Sequence, residues 1–153
     1  DKTMTKSIVI AIDVWPNTYP KFIDTMVNTI NSLDNIEAVL FATYANNGSV
    51  KSRINGQGYH PTIRQRLNKF SEELIPYTYK PGRYMSNLWK QGQVTRDVVF
   101  DILRIQKKYD FDSIIMMGGQ WDRCVQHRSY GMHNLKIVLP HKKIIEYPEC
   151  MMY

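Results

Sequence analysis

Residues 7–12 read SIVIAI, an almost unbroken apolar run dominated by β-branched side chains. The run is too short for an ordinary helix and lacks the polar alternation of a strand with one wet face. It predicts a strand buried on both faces, and such strands belong to parallel sheets sandwiched between helices. Asp13 follows directly, and Pro16-Asn17 then breaks the extended chain. Runs of the same kind recur at residues 38–43 (AVLFAT), at 113–117 (SIIMM, closed by Gly118-Gly119) and at 135–139 (LKIVL). A weaker third strand is expected over residues 74–79, ending at Lys80-Pro81-Gly82.

Between these runs the periodicity changes. From Tyr19 onward Phe22, Ile23, Met26, Val27, Ile30 and Leu33 recur at three- and four-residue steps, which predicts an amphipathic helix. Residues 95–109 predict a second, with Val98, Val99, Ile102, Leu103 and Ile105 on its apolar side and basic residues near its end, where they suit the helix dipole. Shorter helices are expected over residues 63–70 and 122–132, a surface loop over 44–61, and a short tail after residue 139. Strands alternating with helices predict an α/β fold: three layers, doubly wound, around a mostly parallel sheet. A chain of 153 residues suits one domain, residues 1–153, with a real core.

Composition narrows the function classes. Hydrophobic residues make up 43% and charged ones 22%, the balance of a globular chain rather than a disordered one. No apolar run approaches the roughly 20 residues of a membrane helix. With no secretion-type leader pattern and only two cysteines, Cys124 and Cys150, a reducing cytoplasmic location is expected. The formal net charge of +6 raises the question of nucleic acid. Lys69, Lys80, Arg83, Lys90, Arg104, Lys107, Lys108, Lys142 and Lys143 are spread over different segments, however, which reads as a solvated surface rather than a binding stripe.

In parallel sheets of this kind ligands bind beyond the carboxyl ends of the strands. Three polar groups follow predicted strands there: Asp13, Lys80 and the segment Gly118-Gly119-Gln120-Trp121-Asp122-Arg123-Cys124-Val125. Each has an ordinary reading. Asp13 at a strand-to-helix junction serves as a helix cap or as a general base. Lys80 alone is most simply surface charge. Cys124 near a helix start is either a packed thiol or a nucleophile whose pKa the helix dipole lowers, with free backbone N–H groups nearby for an oxyanion. Their convergence on one sheet edge favours a site.

These segments together resemble the isochorismatase-like cysteine hydrolases, a family that includes nicotinamidases. The matching elements are Ile10-Ala11-Ile12-Asp13, Lys80-Pro81-Gly82-Arg83-Tyr84-Met85-Ser86 and Gly118 through Val125, with Asp122 two residues before the cysteine. The resemblance spans residues 7–139 and implies the Rossmann-like fold of that family. It also implies that Cys124 attacks a carbonyl carbon to form a thioester, that Asp13 carries the proton to the leaving amine, and that Lys80 holds the carboxylate and stabilises the thiolate. The oxyanion hole would be the backbone N–H groups of Gln120 and Cys124, with a cis peptide before Gln120. A small-molecule substrate and a homo-oligomer are further implications.

The departures from the family pattern are informative. Trp15 and Trp121 stand where the family has Gln and Thr, which places two candidate stacking surfaces for a planar substrate beside the site. His127 and Arg128 follow Cys124 where small and apolar residues are more usual. Nicotinamidases hold a metal through Asp-x-His after the second strand, whereas residues 41–46 read FATYAN and His60 stands alone in the following loop. No metal or other cofactor is therefore expected, and nicotinamidase activity is disfavoured. A Cys124-His127 dyad competes with the Asp13-Lys80 arrangement, and Cys150 in the tail is expected to be inert. Three functions compete: an amide-cleaving cysteine hydrolase, a catalytically silent relative binding a metabolite or protein partner through the same cleft, and an unrelated doubly wound α/β ligand- or nucleotide-binding module. The last lacks a Gly-x-Gly-x-x-Gly turn after the first strand.

Overall fold

The computed structural model describes residues 5–14, 18–43, 60, 62–76, 96–119, 125–126 and 130–152. Among them are five strands: β1 (Ser7–Ile12), β2 (Ile36–Thr43), β3 (Ser71–Pro76), β4 (Ser113–Gly119) and β5 (Lys143–Met152). Four helices lie between them: α1 (Pro20–Ser32), α2 (Ile63–Arg66), α3 (Arg96–Lys108) and α4 (Met132–Val138). The strands form one sheet in the order β3-β2-β1-β4-β5, and every neighbouring pair is parallel. This is the α/β arrangement predicted from the apolar runs.

Every residue of β1 and β4, the two central strands, is buried. Side chains alternate between the faces of a strand, so each strand feeds two cores. Ile8, Ile10, Ile12, Ala38, Leu40, Ile114 and Met116 point to one side, where Ile102 and Ile105 of α3 and Met132 and Leu135 of α4 cover them. Val9, Ala11, Val39, Phe41, Ile115 and Met117 point to the other, under Ile23, Met26, Val27 and Ile30 of α1 and Ile63 of α2. The sheet thus forms the middle of three layers. α1 begins with a proline at its first turn, where a missing N–H costs nothing.

Three elements differ from expectation. Residues 135–139, predicted as a strand, lie in helix α4 and its C-cap. A short apolar run cannot by itself distinguish the two, and the three-residue step from Met132 to Leu135 is the one that decides, since both are buried while Ile137 is 52% exposed. The last strand comes later, in what reads as a polar, proline-containing tail. β5 is an edge strand, so it tolerates Pro148 and mixes exposed with half-buried residues over most of its length. β3 occupies Ser71–Pro76 rather than residues 74–79, and as the opposite edge strand it carries two glutamates that weaken its apolar signature. The predicted helix over residues 63–70 ends at Arg66. That predicted over 122–132 falls largely outside the described residues.

Candidate functional site

From β1 the chain winds one way through β2 and β3, then crosses back to β4 and β5 on the other side. The carboxyl ends of β1 and β4 therefore flank the topological switch point, where adjacent connections diverge and leave a crevice. Asp13 stands at that point, one residue past β1, and is only 1% exposed. Its N–H donates to the Ala42 carbonyl at 2.8 Å, extending the ladder to β2 by one residue beyond the strand. Its φ is 51°, in the left-handed region, which costs an ordinary L-residue about 1–2 kcal/mol and which Asp tolerates better than most. The backbone turns sharply away there, and a buried carboxylate is left at the end of the strand.

Beside the end of β1, β4 ends in Gly118 and Gly119, and the two glycines serve different contacts. Gly118 pairs in register with Ile12 and has φ 110°, a conformation L side chains rarely adopt. A β-carbon there would overlap the Ile12 carbonyl oxygen and lie 2.7 Å from the Ile12 nitrogen. Backbone therefore meets backbone directly before Asp13, and only glycine permits it. A β-carbon on Gly119 would instead overlap the Met152 Cε and come within 2.8 Å of the Met152 Cβ. The end of β4 is thus wedged between the last residue of β1 and the last of β5.

Of the expected site residues, Asp13 is described and occupies the position the sequence assigns to it. Lys80, Gln120, Trp15, Trp121 and Cys124 lie outside the described residues, as does the Gly119–Gln120 peptide, and so does His127. The strands that lead to them are described. Residues 120–124 follow Gly119 in the sequence, and the strand end they follow lies beside Ile12. Lys80 follows the end of β3 by four residues, and β3 lies two strand positions from β1, about 10 Å at the usual ~4.8 Å spacing.

His60 comes closer to this edge than its loop position suggests, because its N–H donates to the Val14 carbonyl at 2.6 Å. Its Nδ1 accepts from the Thr62 N–H at 3.3 Å, so one ring nitrogen is committed to the turn before α2. Burial, followed by the charge of Arg66, lowers its pKa. Among the described residues no group of three metal-ligating side chains occurs. Cys150 is fully buried in β5 rather than lying in a loose tail. Burial raises its thiol pKa, opposed in part by a hydrogen bond with Thr29. Met152 has no sequence signal at all, and only the ladder geometry draws attention to it. No described helix is long and apolar enough to cross a membrane.

No protein-family model and no curated protein matches the sequence. The fold does have solved counterparts. An isochorismatase-like hydrolase from Alkaliphilus metalliredigens superposes with a TM-score of 0.54 at 12% identity, over 96% of this chain and 81% of that one. A Leishmania major protein assigned as a Mar1 ribonuclease gives a TM-score of 0.53 at 11% identity, over 96% of this chain and 65% of that one. At such identities the likeness is one of fold, and the fold is that of the isochorismatase-like hydrolases.

Proposed function

We propose that this chain is a cysteine hydrolase that cleaves an amide or related C–N bond of a small molecule. The observation that supports it best is Asp13, a buried carboxylate in a left-handed turn at the switch point, set against the glycine end of β4. Strained residues persist where the surrounding structure holds them and cluster at functional sites. On this reading Asp13 takes the proton of the Cys124 thiol as its sulfur bonds to the substrate carbonyl carbon. The oxyanion that forms is held by the N–H groups of Gln120 and Cys124. Collapse of that intermediate breaks the C–N bond, and the leaving amine departs with the proton from Asp13, leaving a thioester. Water then attacks the thioester, giving one proton to Asp13. The acid is released and that proton returns to the sulfur. Lys80 holds the Asp13 carboxylate and favours the thiolate, while Trp15 and Trp121 face the planar part of the substrate. Atoms and charge balance with no metal or cofactor.

The test is ammonia or amine release from a panel of small carboxamides. Cys124→Ala should lower the rate by at least about 1000-fold, and mass spectrometry of the quenched wild type should find an acyl adduct on Cys124. An alkylating reagent should modify Cys124 faster than Cys150, whose buried thiol is held up in pKa, and Lys80→Met should slow the reaction at Cys124. Turnover unaffected by Cys124→Ala would end this reading.

A silent binding protein is the second reading, favoured by the tryptophans at positions 15 and 121, where the related pattern has Gln and Thr. It predicts carboxamide binding without turnover and an affinity indifferent to Cys124→Ala. For either reading we infer a homo-oligomer. α3 and α4 cover one face of the sheet, and they leave Phe100 55% exposed and Leu103 and Ile137 also largely exposed on their outer surfaces. Light scattering at micromolar concentration should give more than the 18.0 kDa of one chain.

A further inference from the structure

We propose that Met152 is a positioning residue for the turn that carries Cys124; the inference rests on the cysteine-hydrolase reading and extends it. The starting point is the ladder between β4 and β5. Met116 pairs with Glu146, yet Gly118 pairs with Met151 and Gly119 with Met152. A regular ladder at the offset of the first pair would have set Pro148 and Glu149 opposite the two glycines. Instead the irregularity between Met116 and Gly118 takes up three extra residues of β5 and resets the register. It begins beside Pro148, whose missing N–H cannot serve the ladder.

The consequence is chemical as well as geometric. The residue delivered to Gly119 is an unbranched thioether rather than a carboxylate, and thioethers fill irregular spaces well. The Met152 side chain occupies the volume that a β-carbon on Gly119 would need. On the other side of the same strand end, the Ile12 carbonyl fills the space beside Gly118. The point at which the chain leaves β4 is held from both flanks: by the strand that bears Asp13, and by Met152. Gly119 ends β4 and precedes residues 120–124 in the sequence, so its position sets where that segment begins relative to Asp13.

Shortening Met152 should release one flank and leave the sheet intact. Misplacement of reacting groups by about 1 Å costs on the order of 100-fold in rate. In Met152→Ala, kcat for carboxamide hydrolysis should therefore fall at least about tenfold with KM little changed, and Met152→Leu should restore most of it. Gly119→Ala should be slower still, because its new methyl group meets the Met152 side chain. Gly119→Ala combined with Met152→Gly should recover at least about tenfold over Gly119→Ala alone, since the second change removes the atoms in collision. Hydrogen exchange supplies a readout that needs no turnover. Amides in peptides covering residues 118–125 should exchange about tenfold faster in Met152→Ala than in wild type, with β1 amides unchanged. Unchanged exchange over 118–125 in Met152→Ala, or a double variant no better than Gly119→Ala, would overturn the positioning role. A wild type that hydrolyses nothing while Met152→Ala still loosens residues 118–125 would instead overturn the hydrolase reading and leave Met152 as the residue that positions the turn.

Discussion

The two ends of the same sheet are built on opposite terms. At the amino edge every contact is conventional. The Lys6 N–H donates to the Asp112 carboxylate at 3.2 Å, and its ammonium to Asp110 at 3.1 Å. Ser7 and Ser113 share a buried hydroxyl–hydroxyl bond of 2.5 Å between β1 and β4. Lys142 caps the Phe111 carbonyl at 2.7 Å. Around the carboxyl edge stand a left-handed aspartate, a left-handed glycine abutting backbone, and a second glycine under a methionine. Left-handed backbone is not confined to that edge, since Asn35, just before β2, has φ 57°; what sets the carboxyl edge apart among the described residues is the close approach of Gly118 and Gly119 to their neighbours. The contrast means that the well-satisfied amino edge and the two cores hold the strained edge in place, and that the two ends should respond differently to mutation.

The largest stability effect should come from the strained edge. Gly118→Ala sets a methyl group into the Ile12 backbone and forces L stereochemistry onto φ 110°, so a loss of about 3 kcal/mol or more is expected in urea unfolding. A small effect would show that the wedge of β4 against β1 is soft. Next comes the amino edge: Ser7→Ala leaves the buried Ser113 hydroxyl without its partner and should cost about 1–3 kcal/mol. Adding Ser113→Ala should recover most of that loss, because an empty pair is cheaper than half of one. Thirdly, Asp13→Asn should change the unfolding free energy by about 1 kcal/mol or less, because Asn tolerates the left-handed region. It should nevertheless abolish turnover and leave Cys124 open to alkylation. The comparison would collapse if stability and activity fell together.

The smallest effect concerns Lys6. A hydrogen bond to Asp110, and then the charge of that carboxylate, raises the Lys6 pKa. Because the folded value lies above the unfolded one, this pair's contribution is fully present below the ordinary lysine range. It is lost as pH rises through the raised folded pKa. The stability difference between wild type and Lys6→Met should therefore be largest near neutral pH and shrink toward pH values above about 11, and it should also fall with added salt. A difference that grows with pH would contradict the ion pair.

Legibility in the sequence followed burial. β1 and β4 are buried on both faces and announce themselves as apolar runs, and α1 shows its stripe plainly; in α3 Ile102 and Ile105 are buried as expected, whereas Leu103, which the spacing puts on the apolar side, is 40% exposed. The edge strands do not. β5 mixes Lys143, Glu146, Pro148 and Glu149 into its length because much of it faces outward, and alternation broken by a bulge carries little periodic signal. α4 is ambiguous in the sequence because five consecutive residues, Leu135 to Leu139, look the same whether they belong to a buried strand or to a short helix. In the candidate site, Asp13 was legible from its place after a buried strand. Its left-handed backbone was not, since nothing local demands it of an aspartate. Met152 was beyond reach because its partnership with Gly119 depends on a register reset that is invisible without the fold.

The proline of β5 bears on how copies of the chain meet. An edge strand offers a row of backbone donors and acceptors to any passing strand, the usual start of uncontrolled aggregation. The irregularity in β5 beside Pro148 interrupts the regular spacing of that row. At the far edge β3 ends in Pro76, and its sequence carries Glu72 and Glu73. Both margins of the sheet are thus poorly suited to growth by strand addition. The proposed homo-oligomer would therefore form through the helical layers, where Phe100 and Ile137 stand exposed.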